Sequence, residues 1–185
     1  MIDQLSSRAR QDRYGTKINR THSPLRAYAV PWISIMLGSL LQQLPVASAV
    51  PLVPPLGFLL LLGWRLVRPG LLPVWAGFPL GLFDDLFSGQ PFGSAIMLWS
   101  GTMLFLEVVE TRFPWRGFFQ DWVVAGLLAG WYLVIGAVVS GGEISGRMAQ
   151  ALVPQLLFTL VLIPVLSRIV AALDRFRLAR VRGIE

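Results

Sequence analysis

AYAVPWISIMLGSLLQQLPVASAVPLVPPLGFLLLLGW, residues 27–64, runs for 38 positions without an Asp, Glu, Lys or Arg. A membrane helix needs about 20 residues to cross about 30 Å of hydrocarbon. The stretch is therefore long enough for two crossings and too apolar for a soluble loop. The rest of the chain agrees: 55% of its 185 residues are apolar and 14% charged, against about 45–50% and about 25% in soluble domains. The mean hydropathy of +0.63 points the same way. The fold class expected is an all-α polytopic membrane protein.

Charged residues and Pro/Gly turns punctuate the remaining runs. Six crossings are expected, at about 28–44, 52–67, 71–83, 93–109, 122–139 and 148–167, the third and fourth forming a short hairpin. Arg68 and Asp84 enclose 15 uncharged residues, which rise only about 22 Å as helix. The hairpin is thus expected to be covered by other helices, with its aspartates drawn towards the hydrocarbon boundary.

Orientation follows from Lys and Arg in the loops and tails. With six crossings, all but Arg147 of the 16 basic residues fall on one side. Both termini are therefore expected in the cytoplasm. A basic, disordered tail (1–27), a six-helix transmembrane domain (28–172) and a basic C-terminal tail (173–185) make up the expected layout. The polar tail ahead of the first apolar run does not read as a cleavable signal peptide. Basic residues beside the membrane attract anionic lipid. The last helix is expected to continue past the bilayer, with Asp174 and Arg177 paired at i, i+3. Trp32, Trp64, Trp75 and Trp122 suit an interfacial belt, whereas Trp99 and Trp131-Tyr132 suit helix packing.

Composition also excludes functions. The chain has no cysteine, which removes thiolate nucleophiles, Cys-ligated zinc and iron–sulfur clusters. His22, alone in a polar tail, provides neither a His-pair metal site nor a Ser-His-Asp triad. The net charge of +6 has no nucleic-acid motif with it. No cofactor and no metal are expected.

The segment with chemical interest is Gly77-Phe-Pro-Leu-Gly81-Leu-Phe-Asp84-Asp85-Leu-Phe-Ser-Gly89-Gln-Pro91-Phe-Gly93. Gly77 and Gly81, spaced i, i+4, clear one helix face for close approach by another helix; Gly126 and Gly130 offer a similar face. Ionisable residues at membrane depth are candidates for function. For Asp84 and Asp85 the alternatives are an interfacial turn, with one carboxylate capping the loop, or a partner contact. A metal site would need more oxygen ligands. Glu107 and Glu110 are expected to pair with Arg65, Arg68, Arg112 or Arg116.

Pro55, Trp64, Arg68-Pro69, Gly81-Leu82, Asp85, Ser88-Gly89 and Gly93 together resemble the MreD family of bacterial rod-shape-determining membrane proteins. Leu56 stands where that family often has a polar residue, and Asp84 doubles the acidic position matched by Asp85. The resemblance implies a place in the cell-elongation machinery with MreC, MreB, RodA and a class-B penicillin-binding protein. It also implies a helix arrangement similar to the substrate-binding subunits of vitamin transporters. The function expected is a non-enzymatic inner-membrane scaffold for wall synthesis, with Gly77, Gly81, Asp84, Asp85, Gly89, Pro91 and Gly93 as partner-binding residues. One alternative is a small-molecule carrier subunit using Gln42, Gln43, Ser100, Thr102, Gln155 and Thr159. Another is a membrane enzyme of lipid metabolism working through Asp84 and Asp85.

Overall fold

Leu56–Val67 folds as a helix without a polar side, and every residue from Gly57 to Arg65 is buried. A helix that is apolar all round belongs in the interior of a bundle. The computed structural model describes residues 24–42, 54–113, 117–142 and 145–178, leaving aside the side chains of 24–26 and 147. Six α-helices are present among the described residues: α1 (Pro24–Leu41), α2 (Leu56–Val67), α3 (Gly77–Phe87), α4 (Ser94–Arg112), α5 (Phe118–Val139) and α6 (Gly146–Leu178). A single 3-10 turn, Val74–Ala76, leads into α3.

The central α2 packs on α1, α5 and α6, and α3 pairs with α4. Phe58 of α2 stacks on Tyr132 of α5 with ring centroids 4.3 Å apart, and tilts against Trp99 of α4 at 6.0 Å. Gly126 and Gly130 do face α6, where Leu160 and Leu156 fill the space they leave. Outside this core the surface is apolar: Leu37, Leu104, Leu127, Leu157 and Val161 are all exposed. So much exposed apolar surface marks a membrane or binding face. Among the described residues two helices are long and apolar enough to cross a membrane: α5, and α6 over Met148–Leu178.

Proline sits inside both α1 (Pro31) and α6 (Pro154 and Pro164). A helical proline frees the carbonyl four residues earlier, and in lipid that carbonyl must find another donor. Pro31 frees Ala27, whose oxygen accepts from Arg177 Nη1 at 2.9 Å. Pro164 frees Leu160, whose oxygen accepts from the Trp122 indole at 3.0 Å. Both breaks are mended by side chains from other helices, which fixes α1 on α6 and α5 on α6.

Several boundaries differ from the sequence reading. The third segment does not stop at Asp84-Asp85; α3 continues to Phe87, because both carboxylates are buried within the protein and need not leave the helix. Its helical start is Gly77, after the 3-10 turn, rather than Leu71. α6 continues as one helix to Leu178, as expected, whereas α1 begins at Pro24, inside the segment expected as a tail. Trp64 does not face outward as a belt residue would: it is fully buried and its indole donates to Ser34 Oγ at 2.8 Å. Trp131 is half-exposed rather than packed. Residues 1–23 and 179–185, assigned to tails, lie outside the described residues.

Candidate functional site

The α3–α4 hairpin is held by one carboxylate. Asp85, in the last turn of α3, accepts the backbone N–H groups of Gly93, Ala95 and Ile96 at 3.0, 2.9 and 3.1 Å. It also accepts the Ser94 hydroxyl at 3.3 Å. These N–H groups open α4, where no intrahelical acceptor exists. An N-cap side chain ordinarily supplies one, but the N-cap here is Gly93, at φ +95°. Asp85 supplies the missing acceptor from the preceding helix, and its negative charge suits the positive end of the α4 dipole.

Asp84 is 3% exposed and lies beside the Ser39 hydroxyl of α1, within electrostatic range of Tyr132 on α5. Gly77 and Gly81 give α4 its close approach: a methyl group on Gly81 would stand 2.7 Å from the Ala95 carbonyl oxygen, and one on Gly77 2.8 Å from that of Trp99. The helix that approaches these glycines therefore belongs to the same chain. Gly89, at φ +66°, and Pro91 form the exposed turn between the two helices.

A second polar cluster closes the opposite end of the bundle. Arg65 of α2 is 1% exposed. Its Nε donates to Glu110 Oε1 at 2.9 Å and its Nη1 to the Leu72 carbonyl at 2.6 Å. Its Nη2 bonds Glu107 and also meets the second Glu110 oxygen. The expected pairing of Glu107 and Glu110 thus selects Arg65. Asp174 of α6 accepts from Arg68 at 2.8 Å and from Arg177 at 2.7 Å, the expected i, i+3 pair. The Arg177 guanidinium also lies 5.9 Å from the Trp64 ring centre. The ends of α2, α4 and α6 and the start of α1 therefore meet at one place.

The polar residues considered for a carrier pocket do not converge. Gln42 donates to the Pro54 carbonyl at 3.2 Å, and Thr159 turns back to the Gln155 carbonyl at 2.7 Å. Thr102 alone of that set lines the apolar groove of about 480 Å³ between α4 and α5. Gln43 lies outside the described residues. Sequence reasoning did not single out Arg65 as buried. The signal available was Glu107 and Glu110 at i, i+3 on one helix face, a spacing able to grip a single guanidinium.

Apolar side chains turned outward, with charged groups paired at the helix ends, fit an all-helical membrane protein. A family model described as rod shape-determining protein MreD matches residues 26–177, most of the chain, and the chain belongs to that family. Neither the curated proteins nor the solved structures compared with the chain give a match.

Proposed function

We propose that this chain is a non-enzymatic adaptor of the bacterial cell-elongation complex, set in the inner membrane by six crossings with both termini cytoplasmic. The family match over residues 26–177 is the observation that carries this reading. The ion-paired cluster adds support, because it gathers the ends of α2, α4 and α6 with the start of α1, as alternating crossings require. Basic residues concentrate at that end, which by the positive-inside rule is cytoplasmic. The carboxylates also speak for an adaptor: Asp85, Glu107, Glu110 and Asp174 are engaged in holding helices together.

MreC is the partner this reading favours, with MreB, RodA and a class-B penicillin-binding protein reached through it or beside it. The hairpin surface from Gly77 to Gly93, and the exposed turn at Gly89 and Pro91 in particular, is the proposed contact towards the outer leaflet. Arg68 and Arg175, exposed at the cytoplasmic end, suit anionic headgroups at about 1 kcal/mol each.

Affinity purification from native membranes tests the reading. A bitopic MreC-like protein should co-purify, and depletion of this chain should round the cells. Reporter fusions after Gln90 and Gly142 should read periplasmic, and those after Gly70 and Arg116 cytoplasmic. Rod-shaped growth without the chain, or a cytoplasmic signal at Gln90, overturns it.

A further inference from the structure

The two ionic units at one end of the bundle use their guanidinium groups differently. Arg65 engages all three of its nitrogens: Nε on Glu110, Nη1 on the Leu72 carbonyl and Nη2 on the two glutamates. Asp174 instead divides one carboxylate between two arginines. Its Oδ2 accepts from Arg68 Nε and its Oδ1 from Arg177 Nε. Arg177 Nη1 is taken by the Ala27 carbonyl. Both Nη groups of Arg68, and Nη2 of Arg177, are left without a partner among the described residues.

The surplus is one of charge as well as of donors. Two guanidinium groups stand against one carboxylate, and the exposed Arg175 follows Asp174 on α6. Arg177 is not free to turn towards water. It is 8% exposed, held at Nε and Nη1, and lies 5.9 Å from the Trp64 ring centre. Arg68 is half-exposed, so the cluster is open on its side. Guanidinium edges fixed in this way, with N–H groups to spare, suit the oxygens of a phosphate.

The surroundings decide which phosphate. The exposed face of α6 is apolar at Val161, Val165 and Ile169 and basic at Arg168 and Arg175. Trp32 and Trp75 pair with ring centroids 5.8 Å apart, and Trp75 is largely exposed, as an indole at headgroup level would be. A soluble anion has no use for the apolar face, whereas a phospholipid brings acyl chains to it. A zwitterionic headgroup carries its own cation to the arginines; an anionic one does not. We propose that Arg68 and Arg177 hold the phosphodiester of one anionic phospholipid of the cytoplasmic leaflet, its acyl chains lying along Val161, Val165 and Ile169 of α6. This is a defined site, distinct from the diffuse attraction of basic residues for that leaflet, and it rests on the orientation proposed above. Arg68 ends α2 and Arg177 holds the α1 carbonyl of Ala27, so the lipid joins three helices at that end.

Melting of the purified protein in detergent with added phosphatidylglycerol or phosphatidylcholine tests the site, with native mass spectrometry counting the lipid retained. One phosphatidylglycerol per chain should survive washing and raise the melting temperature; phosphatidylcholine should do neither. The difference should persist in about 0.5 M salt, where exposed charges act over only a few ångströms. In that salt Arg68→Gln should weaken phosphatidylglycerol about tenfold, and Arg68→Lys, which keeps the charge without the planar fork, about threefold. Arg175→Gln should change it by about twofold at most. Any loss of fold stability in Arg68→Gln lowers both melting curves, so the quantity read is the gap between the two lipids. No gap, a gap abolished by salt, or equal sensitivity to Arg175→Gln and Arg68→Gln overturns the inference. So does inorganic phosphate that raises the melting temperature as far as phosphatidylglycerol, which would make the ligand a soluble anion. Selectivity for phosphatidylglycerol in a chain whose Gly70 fusion reads periplasmic would keep the lipid site and overturn the proposed orientation. Equal retention of the two lipids by a chain that still co-purifies with an MreC-like protein would do the reverse.

Discussion

Arg65 on α2 and Glu110 on α4 stand 45 residues apart in the chain, and Nε of one lies 2.9 Å from Oε1 of the other. With Glu107, whose side chain is half-exposed, they form a three-residue ionic unit around a buried guanidinium, and it joins the central helix to the hairpin. Removing one side of a buried pair leaves an uncompensated charge and costs about 3–5 kcal/mol, whereas replacing the whole unit by apolar groups is often neutral.

Glu107→Gln with Glu110→Gln should therefore destabilise the purified protein by about 3 kcal/mol. Adding Arg65→Met should recover much of the loss. Thermal unfolding in detergent measures both. A double variant that melts within a degree of wild type would remove the ionic unit from any account of stability.

Asp85→Ala should cost about 2–3 kcal/mol, because three N–H groups at the α4 N-terminus lose their acceptor together. Asp85→Asn keeps an acceptor oxygen and should cost less. The loss should be present in isolated protein, without any partner, and hydrogen exchange should rise first at Gly93, Ala95 and Ile96. Unchanged exchange at those amides would mean that Asp85 is not their cap in solution.

Gly81→Leu should separate α3 from α4, since even its first carbon would stand 2.7 Å from the Ala95 carbonyl. Gly89→Ala meets nothing nearby and carries only the strain of φ +66°, about 1 kcal/mol. Gly81→Leu should therefore lower the melting temperature far more than Gly89→Ala. A reversed order would contradict the packing of the hairpin.

Asp174 lies on the part of α6 that extends beyond the bilayer in the proposed topology. Partial burial raises its carboxyl pKa, but hydrogen bonds and charges from Arg177 and Arg68 outweigh that and hold it below its ordinary value. A group depressed on folding contributes stability above its unfolded pKa and loses it as pH falls through the folded value. Asp174→Asn should thus be less stable than wild type by on the order of 1 kcal/mol or less at pH 5–8, given solvent screening. The gap should close below about pH 4. Melting curves across pH decide it, and a gap that widens in acid would reverse the sign.

The long apolar runs were legible in the sequence, because helix length and hydropathy are local properties. So was the Asp174–Arg177 pair, one turn apart on a single helix. Asp85 was not legible as a helical residue. Paired aspartates after an apolar run look like a stop signal, and the N–H groups that accommodate Asp85 belong to a helix beginning nine residues later. Trp64 was misread for the same kind of reason, since its partner Ser34 sits 30 residues earlier on α1. The groove beside Thr102 could not be read at all: it is a failure of two adjacent helices to pack, and no residue spells out an empty space.

The Asp85 clasp has a consequence for how the chain enters the membrane. As synthesised, α3 emerges with 11 residues, two of them aspartates, and such a segment has little reason to leave water alone. The amides that neutralise Asp85 arrive with Gly93 to Ile96, about 0.4–2 seconds later at cellular rates of translation. Only then does the carboxylate have its acceptor role filled and its hydration replaced. Biogenesis should accordingly treat α3 and α4 as one cargo, retained by the insertion machinery until the turn has closed and released into lipid together.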